Sequence, residues 1–323
     1  MKRIIYLGIA VLVVVLLWTG AWFFIANEVR KNVVLLADAD GVATPKLSCG
    51  TLDVGGYPFH FNLDCENAEI TNADQVIKIA GVRASVQVYQ PTFMLASAKS
   101  PVTIEDSFTG SKSAVNWSGL QASIRLDGWR IARISVIGDD IVWNDTLAGE
   151  NLIAKSPKVE FHLIDIPEQH DAKTGRAALA LYTKAADAVI PGFAITDGTA
   201  EIGTDIIGLP DDVRRFGEPD ILRQIQQAGG KLSNLTVDAS DTDASTLNAA
   251  GELSLDPRGL LEGKLDVTSK GVADRVSPLI DAPFRAIVLG NPDADGVSHQ
   301  KLSAKAGAIY SGIIPVGAVL PAF

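Results

Sequence analysis

An almost unbroken apolar run, Ile4 to Ala26, constrains this chain more than any other feature, and Lys2 and Arg3 stand immediately before it. No charged side chain interrupts it. At about 1.5 Å per residue a helix of that length covers roughly 35 Å, enough for a hydrocarbon core of about 30 Å with some tilt. A cleaved signal peptide would have an apolar stretch of only about 7–15 residues, ending in a small-x-small site. Thr19, Gly20, Ala21, Trp22, Phe23 and Phe24 close the run without an Ala-x-Ala pattern, so the expectation is an uncleaved anchor, meeting the lipid bilayer through residues 4–26. Trp18, Trp22, Phe23 and Phe24 suit an interfacial aromatic belt at its distal end.

Charge orients the anchor and narrows the partners. Lys2, Arg3, Arg30 and Lys31 against Glu28 give the segment up to Lys31 a net +3, which leaves −13 on the remainder of a chain whose total is −10. That bias favours a cytoplasmic N-terminus with the acidic bulk translocated. No second apolar stretch approaches the roughly 18 residues that a span needs, so a single pass is expected. Net acidity gives a phosphate-binding surface no general support, and nucleic acid is not an expected partner. With 47% apolar and 20% charged residues, the chain is too rich in core-forming side chains to be disordered.

Cys49 and Cys65 are the two cysteines, close together in the block Leu47–Glu66. In an oxidising compartment such a pair reads as a disulfide. A two-residue turn at Gly55-Gly56 would make paired positions sum to 111, whereas Cys49 and Cys65 sum to 114. A longer loop or bulge around Gly55–Pro58 is therefore required. Two free buried thiols remain an alternative. A metal site is a poorer one, because two cysteines with only His60 nearby do not complete zinc's tetrahedral shell.

Period-2 alternation dominates the rest. Tyr57, Phe59, Phe61 and Leu63 share one face, as do Val82, Ala84, Val86 and Val88, then Leu120, Ala122, Ile124 and Leu126. Val159, Phe161 and Leu163 repeat it, followed by Leu235, Val237 and Ala239, by Gly251, Leu253 and Leu255, and by Leu261, Gly263, Leu265 and Val267. Strands with one wet face indicate antiparallel sheet. Turns are expected at Gly119, Gly128, Asp256–Gly259 and Asn291–Gly296. A helix is expected over Pro219–Ala228, with Gly229 and Gly230 after its end, and a second over about 272–287, kinked by Pro278 and Pro283. The expected fold class is mainly β: an N-terminal transmembrane helix, then a curved, mostly antiparallel β domain, sandwich or open groove, with a few short helices. Residues 1–31 form the anchor, 32–210 a first β-rich region, and 211–323 a second that contains helix 219–228 and an apolar C-terminal tail.

Chemistry-bearing patterns are incomplete. Gly259-Leu-Leu-Glu-Gly263-Lys264-Leu265 is one residue short of a P-loop and lacks the Ser/Thr that would hold magnesium, so it reads as a hairpin turn. Asn291, Asp293, Asp295 and Gly296 open like a calcium loop, but Leu302 stands where a bidentate Glu is needed. Asp241, Asp243, Ser245 and Glu252 have the outer spacing of such a loop, but Thr246 replaces the turn glycine. His60, His162, His170 and His299 are the only histidines, and His162 is expected to face outward. No catalytic residue, metal site or cofactor is expected, and the chain reads as a non-enzyme.

The anchor, the block Cys49-Gly50 to Gly56-Tyr57-Pro58-Phe59 to Cys65, and the ending Gly312-Ile-Ile-Pro315-Val-Gly317-Ala-Val-Leu-Pro321 together resemble an alphaproteobacterial family, domain of unknown function 2125. The resemblance covers most of the chain. It implies a periplasmic protein held in the bacterial inner membrane, and no catalytic residues come with it. More loosely, Gly251–Val267 is similar to the repeated hairpin of AsmA-like envelope proteins, which are associated with lipid transport along curved sheets.

Strand faces lined with Leu, Val and Phe outnumber the helices that would cover them, and a partly uncovered sheet would expose more apolar surface than soluble monomers tolerate. The expected function is binding of a lipid or lipidated partner in envelope assembly or lipid traffic, with Leu235, Val237, Leu253, Leu255, Leu261 and Leu265 lining the face. The alternative is an envelope scaffold that docks a protein through sheet edges or the tail.

Overall fold

The structure is a computed structural model that describes residues 2–41, 45–218, 220–276, 280, 285–319 and 321–322. It is mainly antiparallel β behind one long N-terminal helix. Contacts group the chain into two units, residues 1–121 with 144–151, and residues 122–143 with 152–323. The sequence reading places a line near residue 210 instead, at a point where a strand ending at Pro210 is paired on both sides.

The first unit holds α1 (Lys2–Ala37) and five strands, β1 (Lys46–Gly55), β2 (His60–Asn72), β3 (Gln75–Gln87), β4 (Gln90–Asp106) and β5 (Lys112–Asn116). They form an antiparallel meander in chain order. α1 is free of proline, so nothing interrupts its backbone ladder until the left-handed Gly41 beyond its end, φ 72°. It runs past the anchor boundary expected at residue 31. Residues 4–17 stay exposed, whereas Trp22 and Ala26 are buried against Val54. The helix is long and apolar enough to cross a membrane.

A four-residue loop, Gly56–Phe59, joins β1 to β2, so the alternation expected from Tyr57 begins only at His60. The loop is longer than two residues, as expected, yet it leaves the cysteines three positions out of step in the other direction. It raises the sum of paired positions to 117 (Lys46 with Thr71), which sets Cys49 opposite Ala68 and Cys65 opposite Leu52. The cysteines are nevertheless bonded, with Cα atoms 5.4 Å apart. Asn67, between Cys65 and Ala68, is left-handed at φ 50° and breaks the pleat there, an irregularity that alternation cannot foresee.

The second unit carries the bulk of β6 (Gly119–Asp127), β7 (Arg130–Asp145) and β8 (Asn151–Asp165). It continues with β9 (Arg176–Ile190), β10 (Ile195–Pro210), β11 (Lys231–Ser240), β12 (Thr246–Leu255) and β13 (Leu261–Lys270). β14 (Val297–Lys305), β15 (Ala308–Ser311) and β16 (Ile314–Ala318) complete it. β7 to β16 neighbour one another in chain order. The core gathers Ile131, Leu179 and Leu209, with Ile206, Val213 and Ile225 packed against them. Ile225 belongs to α2 (Ile221–Gln227), which starts later than the helix expected over 219–228 because Asp220 is left-handed, φ 60°, and cannot extend it; Pro219 lies outside the described residues. Of the second expected helix, short turns occur at Ala273–Val276 and Arg285–Leu289, while 277–279 and 281–284 lie outside the described residues.

Candidate functional site

Two apolar surfaces stand out, one in each unit. In the first, α1 lies against the β1–β2 hairpin through side chains that combine rings with hydrogen-bonding tips. The Trp22 indole stacks on Phe61 at 5.3 Å and donates from Nε1 to the His60 carbonyl at 3.0 Å. Trp18 Nε1 donates to the Pro58 carbonyl at 3.1 Å, and the Thr19 and Tyr57 hydroxyls are 2.8 Å apart. Gly56 makes the tight β1–β2 loop possible: its φ is 100°, and a Cβ there would lie 2.8 Å from the His60 oxygen. Farther along, Arg30 faces Asp53 at 3.7 Å. The disulfide ties the same hairpin together. Sequence reading placed Trp18 and Trp22 in an aromatic belt but did not foresee their bonds to the loop, whose only signal was the clustering of Tyr57, Pro58 and Phe59.

In the second unit, register brings the six expected apolar residues to one face of β11, β12 and β13. Leu235 pairs with Gly251, Val237 with Ala249, Leu253 with Gly263, Gly251 with Leu265, and Leu255 with Leu261. Directly paired residues point to the same side of a sheet, so these rows form one surface. It extends to β10 through Ile202, opposite Val237, and to β14 through Leu302, opposite Leu265. Glu252, Lys264 and Asp266 alternate on the exposed side. Leu235 is buried, while Val237, Leu253, Leu255, Leu261 and Leu265 are only half-buried. No large side chain among the described residues is fully enclosed.

That face ends at a small cavity of about 180 Å³, where Ala239 and Leu247 meet Phe193, Ile195, Val272 and Arg275. It is smaller than the roughly 300–1,000 Å³ of sites that enclose a drug-sized molecule. An almost wholly buried ion pair stands at its edge: Arg275 donates to Asp241 at 2.6 Å and also binds Asp243. The guanidinium thus occupies the place a cation would take in the calcium-like loop, and its hydrogen bond holds the Asp241 carboxyl below its usual range. Asp243 is also held low, first by Ser245 and its backbone N–H. In the other acidic stretch, Asp293 Oδ1 accepts the backbone N–H groups of Asp295 and Val297, both at 2.9 Å, as an Asx turn does. Among the described residues, no cluster of three or more His, Cys, Asp or Glu is placed to hold a metal.

The Gly259–Leu265 stretch ends a hairpin turn, closed by Asp256 Oδ1 accepting from the backbone N–H groups of Arg258 and Leu260, and from Leu261 onward it is the start of β13. His162 is on the strand face opposite Phe161 and Leu163, yet it does not stand free in solvent. Its side chain is 15% exposed and its ring stacks on Tyr182 at 6.1 Å.

These features define an antiparallel β protein, stapled by one disulfide and led by a helix long and apolar enough to cross a membrane. It belongs to the family described as an uncharacterized protein conserved in bacteria (DUF2125), which matches residues 22–319 and so takes in Trp22, the β1–β2 hairpin and the second-unit face. No curated protein and no solved structure matches the chain.

Proposed function

We propose that this chain is a non-enzymatic, single-pass protein of the bacterial inner membrane whose bulk lies in the periplasm, where its β11–β13 face binds the acyl chain of a lipid or lipidated partner. The observation that carries the reading is the half-buried aliphatic surface of Leu253, Leu255, Leu261 and Leu265, aligned across two strands and leading to the apolar cavity beside Leu247. A cavity of that size suits one end of an extended chain better than a compact substrate. The Cys49–Cys65 disulfide and the basic residues Lys2 and Arg3 at the start of α1 support an oxidising compartment beyond the membrane.

Native mass spectrometry tests the proposal. Full-length protein in detergent micelles, given phosphatidylethanolamine and phosphatidylglycerol, is expected to retain a lipid adduct that Leu265→Glu removes. Equal adducts on both proteins would overturn it.

One observation favours a second reading, an envelope scaffold. β16 ends the strand order of its unit and Ile313, just before it, is 93% exposed, so its outer edge is available for a partner strand. Crosslinking at Ile313 to a protein, with no lipid bound at Leu265, would support that reading instead.

A further inference from the structure

We infer that the tip of the β1–β2 hairpin, Tyr57–Phe59, together with Tyr89 in the β3–β4 turn, inserts into the membrane interface beside α1, so that the chain meets the bilayer through two elements. The inference rests on the reading of α1 as a membrane span and specifies how deep the first unit sits on it.

Length comes first. The bonds from Trp18, Thr19 and Trp22 hold the hairpin tip at the level of helix residues 18–22. Only the segment from Ile4 to Leu17 lies beyond that level without a charge. At about 1.5 Å per residue it reaches roughly 21 Å, about 9 Å short of a hydrocarbon core of about 30 Å. The apolar slab must therefore extend to about residue 23, and the tip is carried below its boundary. Tilting the helix shortens its vertical reach and deepens the tip.

Charge placement agrees. No Asp, Glu, Lys or Arg occurs in Ile4–Asn27, Val54–Leu63 or Ala84–Ala98. Charges then begin together on all three: Glu28 and Arg30 on the helix, Asp53 and Asp64 paired across β1 and β2, and Arg83 opposite Asp64 on β3. Arg30 to Asp53 at 3.7 Å links the helix to this first charged row. Within the charge-free end, Phe59 is 58% exposed and Tyr89 is 72% exposed. The two turns touch, with Val88 N–H donating to the Phe59 carbonyl at 2.9 Å. Tyrosines, tryptophans and exposed apolar side chains at one level are what an interface takes up.

Backbone accounting agrees as well. Poorly hydrated loops must have their carbonyls satisfied internally. At this tip the carbonyls of Gly56, Pro58, Phe59 and His60 all accept hydrogen bonds, those of Pro58 and His60 from the helix indoles.

The test places p-benzoylphenylalanine singly at Ile9, Phe59 or Phe108 of the full chain in phosphatidylethanolamine–phosphatidylglycerol vesicles, and reads lipid adducts after illumination. Phe108 is 85% exposed at the opposite end of the same strands, roughly 40 Å away at about 3.3 Å per residue. Adducts at 9 and 59, several-fold above 108, are expected. An adduct at 9 with 59 no higher than 108 would overturn the inference and leave the span standing. Adducts at neither 9 nor 59 would overturn both.

Discussion

The helix–hairpin junction and the β11–β13 face are both apolar, but they are finished differently. At the junction, large rings are stacked and their polar tips bonded, with Trp22 only 4% exposed. On the β11–β13 face, aliphatic side chains lie in straight rows with no polar tips to position them, and most remain half-buried. Specific ring packing with satisfied hydrogen bonds fixes one geometry, whereas an aliphatic sheet surface accepts any apolar cover of suitable width. The first arrangement suits a permanent joint and the second suits an exchangeable ligand.

That contrast predicts unequal costs of truncation. Trp22→Ala removes a buried ring and its bond to His60, and is expected to cost about 3–5 kcal/mol in unfolding of the full chain in detergent. Removing the Cys49–Cys65 bridge, 16 residues apart, is expected to cost about 3 kcal/mol in the same measurement, because the open hairpin gains freedom when unfolded. Leu265→Ala is expected to cost at most about 2 kcal/mol, since a half-buried leucine recovers only part of its transfer free energy. A loss at Leu265 equal to that at Trp22 would break the contrast and make the sheet face a closed core. Trp18→Phe keeps the ring surface and loses one hydrogen bond, an expected cost of about 0.5–1.5 kcal/mol.

The smallest effect lies at a polar turn outside both surfaces and gives a baseline. Asp212 accepts from the Arg214 guanidinium and its backbone N–H, which lowers the carboxyl from 3.8 to about 2. A carboxyl depressed on folding contributes stability that is fully present above its unfolded value and is lost as pH falls through its folded value. The Asp212 share is therefore expected to fade between pH 3.8 and about 2, and carboxyl-resolved NMR titration of Arg214→Ala should return the group toward its ordinary value.

Legibility in the sequence followed the same divide. The apolar run of α1 and the alternation in β12 and β13 were readable because each is a local pattern with one period. β9 was not: Ala177, Ala178, Ala180, Ala185 and Ala186 favour helix intrinsically, yet the strand is held between β8 and β10 with Ala178 wholly buried. Small side chains there let neighbouring elements close over the sheet, a tertiary demand that leaves no local trace. The six face residues were legible individually, but their alignment into rows depended on register, including the shift between Leu232 and Leu235. Arg275, 34 positions from Asp241, could not be assigned to that acidic loop by spacing at all.

The central claim is that the β11–β13 face receives acyl chain. Its most direct measurement is peptide mapping of the full-length protein after illumination in vesicles that contain a phosphatidylethanolamine with a diazirine in its acyl chain. Labelling at Leu253, Leu261 and Leu265, in addition to α1, is the predicted result. Labelling restricted to α1 and the Tyr57–Phe59 tip would contradict it.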